Sequence, residues 1–532
     1  MDSKFVPPGF FAAMAAVALG LAPLPSHAQS TAISVDPETM PRTGSVDQRF
    51  MSYNVEMAEV TGGSFWKPYH SKTTAAEANA TTPKHAAGVP AGMNPDLYEY
   101  RPPIDLANPR LRKLAKALGP AYVRVSGTWA NSVYFADSNH PPAQAPAGFS
   151  GVLTRKEWKG VIDFVHAVDG ELVTSFATSA GPRNAQGVWD PKEADAWLAY
   201  TKSIGGKVAA AEFMNEPTYA AMGGAPRGYD AADYGRDIAV FGPWLKKNSP
   251  GTLFLGPGSV GEGPFEIAMG GTLHSEDLLK ATGPVFDVFD YHLYAAASER
   301  CAAMGEQGQT TAAAALSREW LSRPAQIDGY YAGLRDRFEP GKPLWITETA
   351  DAACGGNPWA STFLDAFRYL VQHASLAQRG VKVIMHNTLA SSDYGLLDPD
   401  TFAPRPNYWA SVLWRRLMGT TVLAPQVSGP PDSYVYAQCL AGRPGGVTLL
   451  VINADRQRGF DLDVPKAGER YTLTAKHLED SAVDLNGRPL RLAVNDDLPP
   501  MRGEPVKAGR VDFAPASITF LTVAQADNGA CK

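Results

Sequence analysis

Eight short apolar runs, most rich in β-branched residues, alternate with longer amphipathic stretches through the middle of the chain. That alternation constrains the fold more than any other feature. The runs are 50–56, 121–125, 171–176, 208–213, 252–255, 285–291, 343–347 and 381–386. The stretches between and after them include 109–117, 191–203, 231–246, 312–335, 359–379 and 408–418. Strands joined by crossover helices give a parallel sheet with its helices outside. Eight such units predict an α/β chain built on a closed (β/α)₈ TIM barrel. A doubly wound open sheet alternates in the same way, and the placement of polar residues decides between the two. Asn215-Glu216, Tyr291-His292, Glu348 and His386-Asn387 each fall at the C-terminal end of a run, where barrel sites are assembled.

After Met418-Gly419 the pattern changes to short alternating runs separated by Gly, Pro and Asp: 434–438, 447–452, 460–464, 471–476, 483–485 and 517–522. These predict a C-terminal β-sandwich, to which 32–35 adds a strand from the other end of the chain. The expected division is 1–28 as a signal peptide, 46–419 as the catalytic barrel, and 29–45 plus 420–532 as the sandwich. Segment 62–98 reads as a long loop, of the kind that is functional or mobile, and 141–149 as a short surface loop.

Lys4, the apolar stretch 10–22 and Ser26-His27-Ala28 form a secretory leader with a small-x-small cleavage site. The mature chain is therefore expected to be soluble, exported to the periplasm or medium, and monomeric, with no membrane contact. A retained anchor is the alternative. Lys and Arg number 48 against 54 Asp and Glu, a net charge of −6, which argues against nucleic acid as a partner. Four cysteines in an oxidising compartment allow three disulfide connectivities. The pairing Cys301–Cys354 with Cys439–Cys531 is favoured, and buried free thiols are the alternative.

Chemistry is carried by two carboxylic acids. Asn215-Glu216-Pro217 follows an apolar run, and a partly buried acid there is poised to protonate a leaving oxygen. Asn215 is placed to bond a sugar 2-OH. Alone, the tripeptide reads equally as a turn with Pro217 at its first position. Glu348 ends the run Leu344-Trp345-Ile346-Thr347 and is placed to attack an anomeric carbon. A capping role is the plain alternative. Lying on the fourth and seventh runs of one barrel, the pair points to glycoside hydrolysis, with Glu216 as acid/base and Glu348 as nucleophile. Glu56, Thr128, Tyr291, His292, Tyr294 and Tyr394 are candidate supports, Tyr291 as a hydrogen-bond partner of Glu348. Gly355-Gly356 is placed to offer backbone N–H groups to a carboxylate. His292 and His386 lack metal-ligand spacing, and the two-acid mechanism requires neither metal nor cofactor.

The motifs Phe213-Met214-Asn215-Glu216-Pro217 and Trp345-Ile346-Thr347-Glu348-Thr349 resemble the acid/base and nucleophile motifs of the heparanase-like enzymes of glycoside hydrolase family 79. So do Leu118 to Arg124 with Gly127-Thr128, the run from Gly395 to Asp398 with Asn407-Tyr408-Trp409, and Val483 to Gly487 with Leu498-Pro499-Pro500. The resemblance covers roughly residue 50 to the C-terminus. It implies a barrel with a sandwich, a retaining mechanism, and cleavage of β-linked glucuronic acid in heparan sulfate or simpler glucuronides. It further implies substrate contacts at Glu56, Thr128 and Asn215, a uronate-carboxylate site at Gly355, Gly356 and Tyr394, and a Cys439–Cys531 bridge.

The chain departs from that pattern at Glu262, where the family has a polar Gln, and at Pro264, where it has a basic residue. Both changes weaken sulfate recognition at that subsite. Arg155, Lys156 and Lys159 are candidates for an anionic-substrate rim, or else a solvated helix face. Endo action on heparan sulfate is the first expectation, exo-β-glucuronidase activity the second. A non-catalytic glycan-binding protein is the third, disfavoured because both acids are present.

Overall fold

The structure is a computed structural model, and it describes residues 33–71, 88–267, 272–304, 309–427 and 429–532. The expected leader at 1–28 and part of the 62–98 segment lie outside the described residues.

Eight parallel strands close into a barrel: β1 Met51–Glu56, β2 Tyr122–Ser126, β3 Glu171–Thr174, β4 Val208–Glu212, β5 Leu253–Ser259, β6 Val288–Tyr294, β7 Leu344–Ala350 and β8 Val383–His386. Neighbours in sequence are neighbours in the sheet, and β8 pairs with β1. Helices α1 Pro109–Ala117, α2 Arg155–Ala167, α3 Lys192–Ser203, α4 Ala231–Asn248, α5 Ser275–Thr282, α6 Arg318–Phe338, α7 Phe363–Arg379 and α8 Pro406–Leu417 follow the strands in turn. Of these, α2 and α5 have no counterpart in the stretches named from sequence. Helix α2 starts on a capping box, in which Thr154 and Glu157 bond each other's backbone N–H.

The barrel interior is layered. At the bottom Tyr122, Val173, Ala210, Leu255, Val288, Trp345, Val383 and Met385 form an apolar plug. Above it lies a buried polar layer. Arg124, fully enclosed, clasps Glu212 through Nε at 3.0 Å and Nη2 at 2.7 Å, and Thr347 Oγ1 donates to Asp290 at 2.7 Å. Burial alone lifts Glu212, but Arg124 and then His292 bring it below its ordinary value. Burial and then the Glu212 charge raise Asp290 well above the carboxyl range, so that it keeps a proton beside Glu212. Removing Arg124 would strand buried charge. Arg124→Met is therefore expected to cost about 3–5 kcal/mol, checked by chemical denaturation.

Beyond the barrel, nine strands form one sheet. Its main order is Arg42–Ser45, Met418–Leu423, Ser433–Leu440, Val447–Asn453, Ser517–Val523, Gly468–Thr474, Asp484–Leu485 and Arg488–Pro489, with Glu504–Val506 also on Gly468–Thr474. A smaller sheet holds Ile33–Ser34, Phe460–Val464 and Gly509–Phe513. Alternation assigns the faces. Leu450, Ile452, Ile518 and Phe520 join the barrel core, while Leu449, Val451, Leu521 and Val523 pack with Leu462, Val511 and Phe513. The first face and the barrel thus share one continuous core. Disulfides join Cys301 to Cys354 and Cys439 to Cys531. No helix among the described residues is long and apolar enough to cross a membrane.

The segment after β1 is more ordered than a free loop. Gly63–Trp66 pairs antiparallel with Tyr98–Arg101, and Trp66 stacks on Tyr98 at 4.4 Å between centroids. Arg300 and Asp393 clamp the following turn. Asp393 accepts from the Tyr69 N–H at 3.1 Å and from Arg300 Nη2 at 2.7 Å, and the Arg300 guanidinium lies 3.9 Å from the Tyr69 ring centroid.

Candidate active site

The cleft at the C-terminal mouth of the barrel has Glu56, Thr128, Glu216, Tyr294, Glu348, Asn387 and Tyr394 in its wall.

Glu216 leaves β4 in the left-handed region, φ +49°, and caps the 3₁₀ turn Pro217–Tyr219. This backbone is costly for a residue with a Cβ, about 1–2 kcal/mol. The turn bends the chain so that the carboxyl reaches the cleft. Glu348 reaches the same place by a different device. β7 gains one residue against β6, with Ile346 opposite Tyr291 and Glu348 opposite His292. Thr347 already faces the interior, where it bonds Asp290, so strict alternation would turn Glu348 out. The bulge turns it in.

Between the two acids stands His292. Its Nδ1 lies 3.0 Å from Glu216 Oε1 and 3.7 Å from Glu348 Oε2, and its Nε2 lies 3.2 Å from Arg124 Nη2. A guanidinium only donates. Nε2 must therefore accept, and the ring hydrogen sits on Nδ1, aimed at the carboxyls. Burial, and less strongly the Arg124 charge, depress His292 to about 4, so the ring is neutral near neutral pH.

The Glu216 and Glu348 carboxyl oxygens and a His292 ring nitrogen lie within 4.8 Å of one another. Metal ligands are spaced in the same way. However, a hydrogen on Nδ1 leaves no lone pair for a cation there, and the Arg124 charge is already bonded to Glu348.

The environments of the two acids differ. Glu348 accepts from Arg124 Nη1 at 2.9 Å, Tyr294 OH at 2.7 Å and Asn387 Nδ2 at 3.3 Å. Such donors hold a carboxylate in place for attack. Among the described residues Glu216 has no bonded cation, and burial raises it to about 7 despite the nearby Arg124. It can therefore carry a proton near neutral pH. The rate of acid-assisted bond cleavage is expected to fall as pH rises through about 7, where that proton is lost. A pH–rate profile checks this, and Glu216→Gln should abolish the falling limb.

Glu56 also lines the cleft. Burial and then the Glu348 charge lift it well above the carboxyl range. Its Oε2 lacks a hydrogen-bond partner among the described residues. A Cβ at position 127 would fall 1.5 Å from that oxygen, so the cradle requires glycine there. Gly355 and Gly356 adopt φ +83° and +87° beside the cleft, and a Cβ on Gly355 would meet Trp66 at 2.6 Å. Asn215 is buried, its Oδ1 accepting from Arg124 Nη2 at 2.8 Å, and Asn131 bonds its backbone.

Other expectations are corrected. Tyr291 does not touch Glu348. It faces the helix layer, donating to Asp328 on α6 at 2.9 Å and stacking on Tyr331, and Tyr294 makes the contact expected of it. Glu262 does not line the cleft: it accepts from the Ser275 N–H at 3.0 Å and from the Ser275 hydroxyl, at the start of α5. The Arg155, Lys156 and Lys159 rim is a helix face. Arg155 pairs with Asp137 and Lys159 with Asp163, and Lys156 is exposed. The sequence gives Arg124 no role beyond a motif, names none for Glu212, Trp66 or Trp129, and offers Asn387 only as a strand-end residue.

No family model matches the chain. It is 28% identical to heparanase-like protein 1 of Arabidopsis thaliana over 486 residues, covering 81% of this chain and 86% of that protein. It is 26% identical to the hyaluronoglucuronidase of Hirudo nipponia, covering 81% and 92%. A 4-O-α-L-rhamnosyl-β-D-glucuronidase from Fusarium oxysporum shares the fold, with TM-score 0.61 and 13% identity over 92% of this chain and 99% of that one.

Proposed function

We propose that the chain is a retaining β-glucuronidase acting within heparan-sulfate-type chains, with Glu216 as acid/base and Glu348 as nucleophile. The carrying observation is the pair itself. Acids from just past β4 and from β7 each place one carboxyl oxygen within 4.8 Å of the other, which favours the closer-set carboxyl pair of retaining enzymes over the wider one of inverting enzymes. The similarity to a heparanase-like protein and a hyaluronoglucuronidase over four-fifths of the chain supports glucuronate as the sugar cleaved.

In the first step Glu348 attacks the anomeric carbon while Glu216 gives its proton to the departing glycosidic oxygen. In the second, Glu216 takes a proton from water, which displaces Glu348 and releases a chain ending in glucuronate with its β configuration restored. His292, locked with its hydrogen on Nδ1, orients both acids. Neutral Glu56 donates to a sugar hydroxyl, and Thr128 and Asn215 support the same ring. Gly355, Gly356 and Tyr394 receive the uronate carboxylate. The two disulfides and the leader-like N-terminus support export, in keeping with an extracellular polysaccharide substrate.

The hairpin bearing Trp66, clamped against Gly355, favours a second reading: exo action on terminal glucuronic acid. Incubation with a heparan-type oligosaccharide and with an aryl glucuronide separates the two by product size. Internal fragments are expected, and release of monosaccharide alone would refute endo action.

A further inference from the structure

The cleft is chemically lopsided. On the Glu348 side the wall carries the polar groups Tyr294, Asn387, Tyr394 and Glu56, with Trp66, Ala353 and Cys354 beside Gly355. Around Glu216 it is apolar, with Tyr219, Met222, Val260, Ile267 and Met93. The glycosidic oxygen protonated by Glu216 departs with the leaving group, so the wall around Glu216 is the one the leaving group meets.

That wall is built rather than incidental. Thr218 Oγ1 donates to the Val260 carbonyl at 3.1 Å and accepts from the Val260 N–H at 3.2 Å. The Tyr219 hydroxyl donates to the Ile267 carbonyl, and a Cβ on Gly261 would fall 2.2 Å from that hydroxyl. The Trp129 indole N–H donates to the Gly88 carbonyl at 2.8 Å, and the Ala91 N–H donates to the Met222 carbonyl at 3.4 Å. The turn after β4, the loop after β5 and segment 88–93 are thus bonded into one surface. Beyond the proton-bearing Glu216, the acids near it are Glu262 and Glu266, both of which act on Tyr219. No lysine or arginine is among the described lining residues.

We infer that the leaving-group subsite selects an uncharged group with an apolar face, an N-acetylated unsulfated sugar, and discriminates against a sulfated one. This rests on the glucuronidase reading and narrows it. A sulfate here would lose water against methionine, isoleucine and tyrosine carbons, with no lysine or arginine among the described lining residues to pair with it, close to the Glu262 and Glu266 carboxylates, which repel it. The methyl and C–H groups of an N-acetylated sugar would instead be buried by contact.

The test measures kcat/KM on three probes with the full chain: 4-nitrophenyl β-glucuronide, an unsulfated N-acetylated heparan-type tetrasaccharide, and its N- and 6-O-sulfated counterpart. The unsulfated tetrasaccharide is expected to be cleaved at least about tenfold better than the sulfated one. Met222→Lys should shift that ratio toward the sulfated substrate by a similar factor. Equal or faster cleavage of the sulfated tetrasaccharide, with the aryl glucuronide still hydrolysed, overturns this inference and leaves the glucuronidase reading standing. Failure on all three probes overturns both.

Discussion

Glu348→Gln is expected to lower kcat by about 10,000-fold or more while leaving the fold intact. The substitution keeps the size of the side chain; its amide oxygen can still accept from Arg124, and the Tyr294 hydroxyl can turn to accept from the amide N–H. What it loses is the anionic oxygen that forms the bond to the anomeric carbon. Turnover of an aryl glucuronide and the unfolding midpoint should be measured together, because only the first should move far. Glu348→Gly with azide added should regain part of the rate and yield a glycosyl azide of inverted anomeric configuration. The small anion would attack from the space the side chain vacated. A Glu348→Gln enzyme within tenfold of the parent would show that this carboxylate is not the nucleophile.

The barrel was legible because its strands are buried on both faces and read as continuous apolar runs. Their upper ends were not. β5 runs to Ser259, β6 to Tyr294 and β7 to Ala350, three or four residues past the expected ends. The residues gained there include His292, Tyr294 and Glu348, polar groups that face one another inside the mouth rather than water. A hydropathy pattern treats such residues as the end of a strand, although their backbone pairing continues. Helix α5 was missed because eight residues scarcely complete two turns of amphipathic pattern. Strands such as Arg42–Ser45 and Glu504–Val506 are short edge pieces with little alternation.

At the site, residue type was easier to read than direction. Glu216 and Glu348 stood out as acids ending apolar runs. The same sequence gives no sign of the bulge that turns Glu348 inward, since period-two alternation from Trp345 and Thr347 aims it at the helices. Tyr291 failed for the opposite reason. Alternation holds there, and with His292 facing in, its neighbour must face out. Arg124 and Glu212 did carry a signal. Each is a charge within a run that only a closed barrel would bury, and a buried charge needs a partner. Pairing the two on sight would have supplied the cation that bonds Glu348. Glu262 rests on a motif resemblance, and a resemblance in residue order says nothing of side-chain direction.

Removing the other acid should have a consequence that depends on what leaves. In Glu216→Ala no group protonates the glycosidic oxygen. A saccharide leaving group, which departs as a poorly stabilised alkoxide, should then lose about 100- to 10,000-fold in kcat/KM. A 2,4-dinitrophenyl glucuronide needs no such proton, and its kcat/KM should stay within about tenfold of the parent. Hydrolysis of the glycosyl-enzyme still needs a base, however, and here the base is gone. The first step then outruns the second and kcat and KM fall together. An intact-mass measurement should find the protein heavier by one glucuronosyl group on Glu348, and azide should discharge it. The two substrates separate chemistry from damage. A distorted cleft would slow both alike, whereas an absent proton donor slows only the substrate that needs one. Equal losses on both would remove Glu216 from the acid/base role, whatever its distance from Glu348.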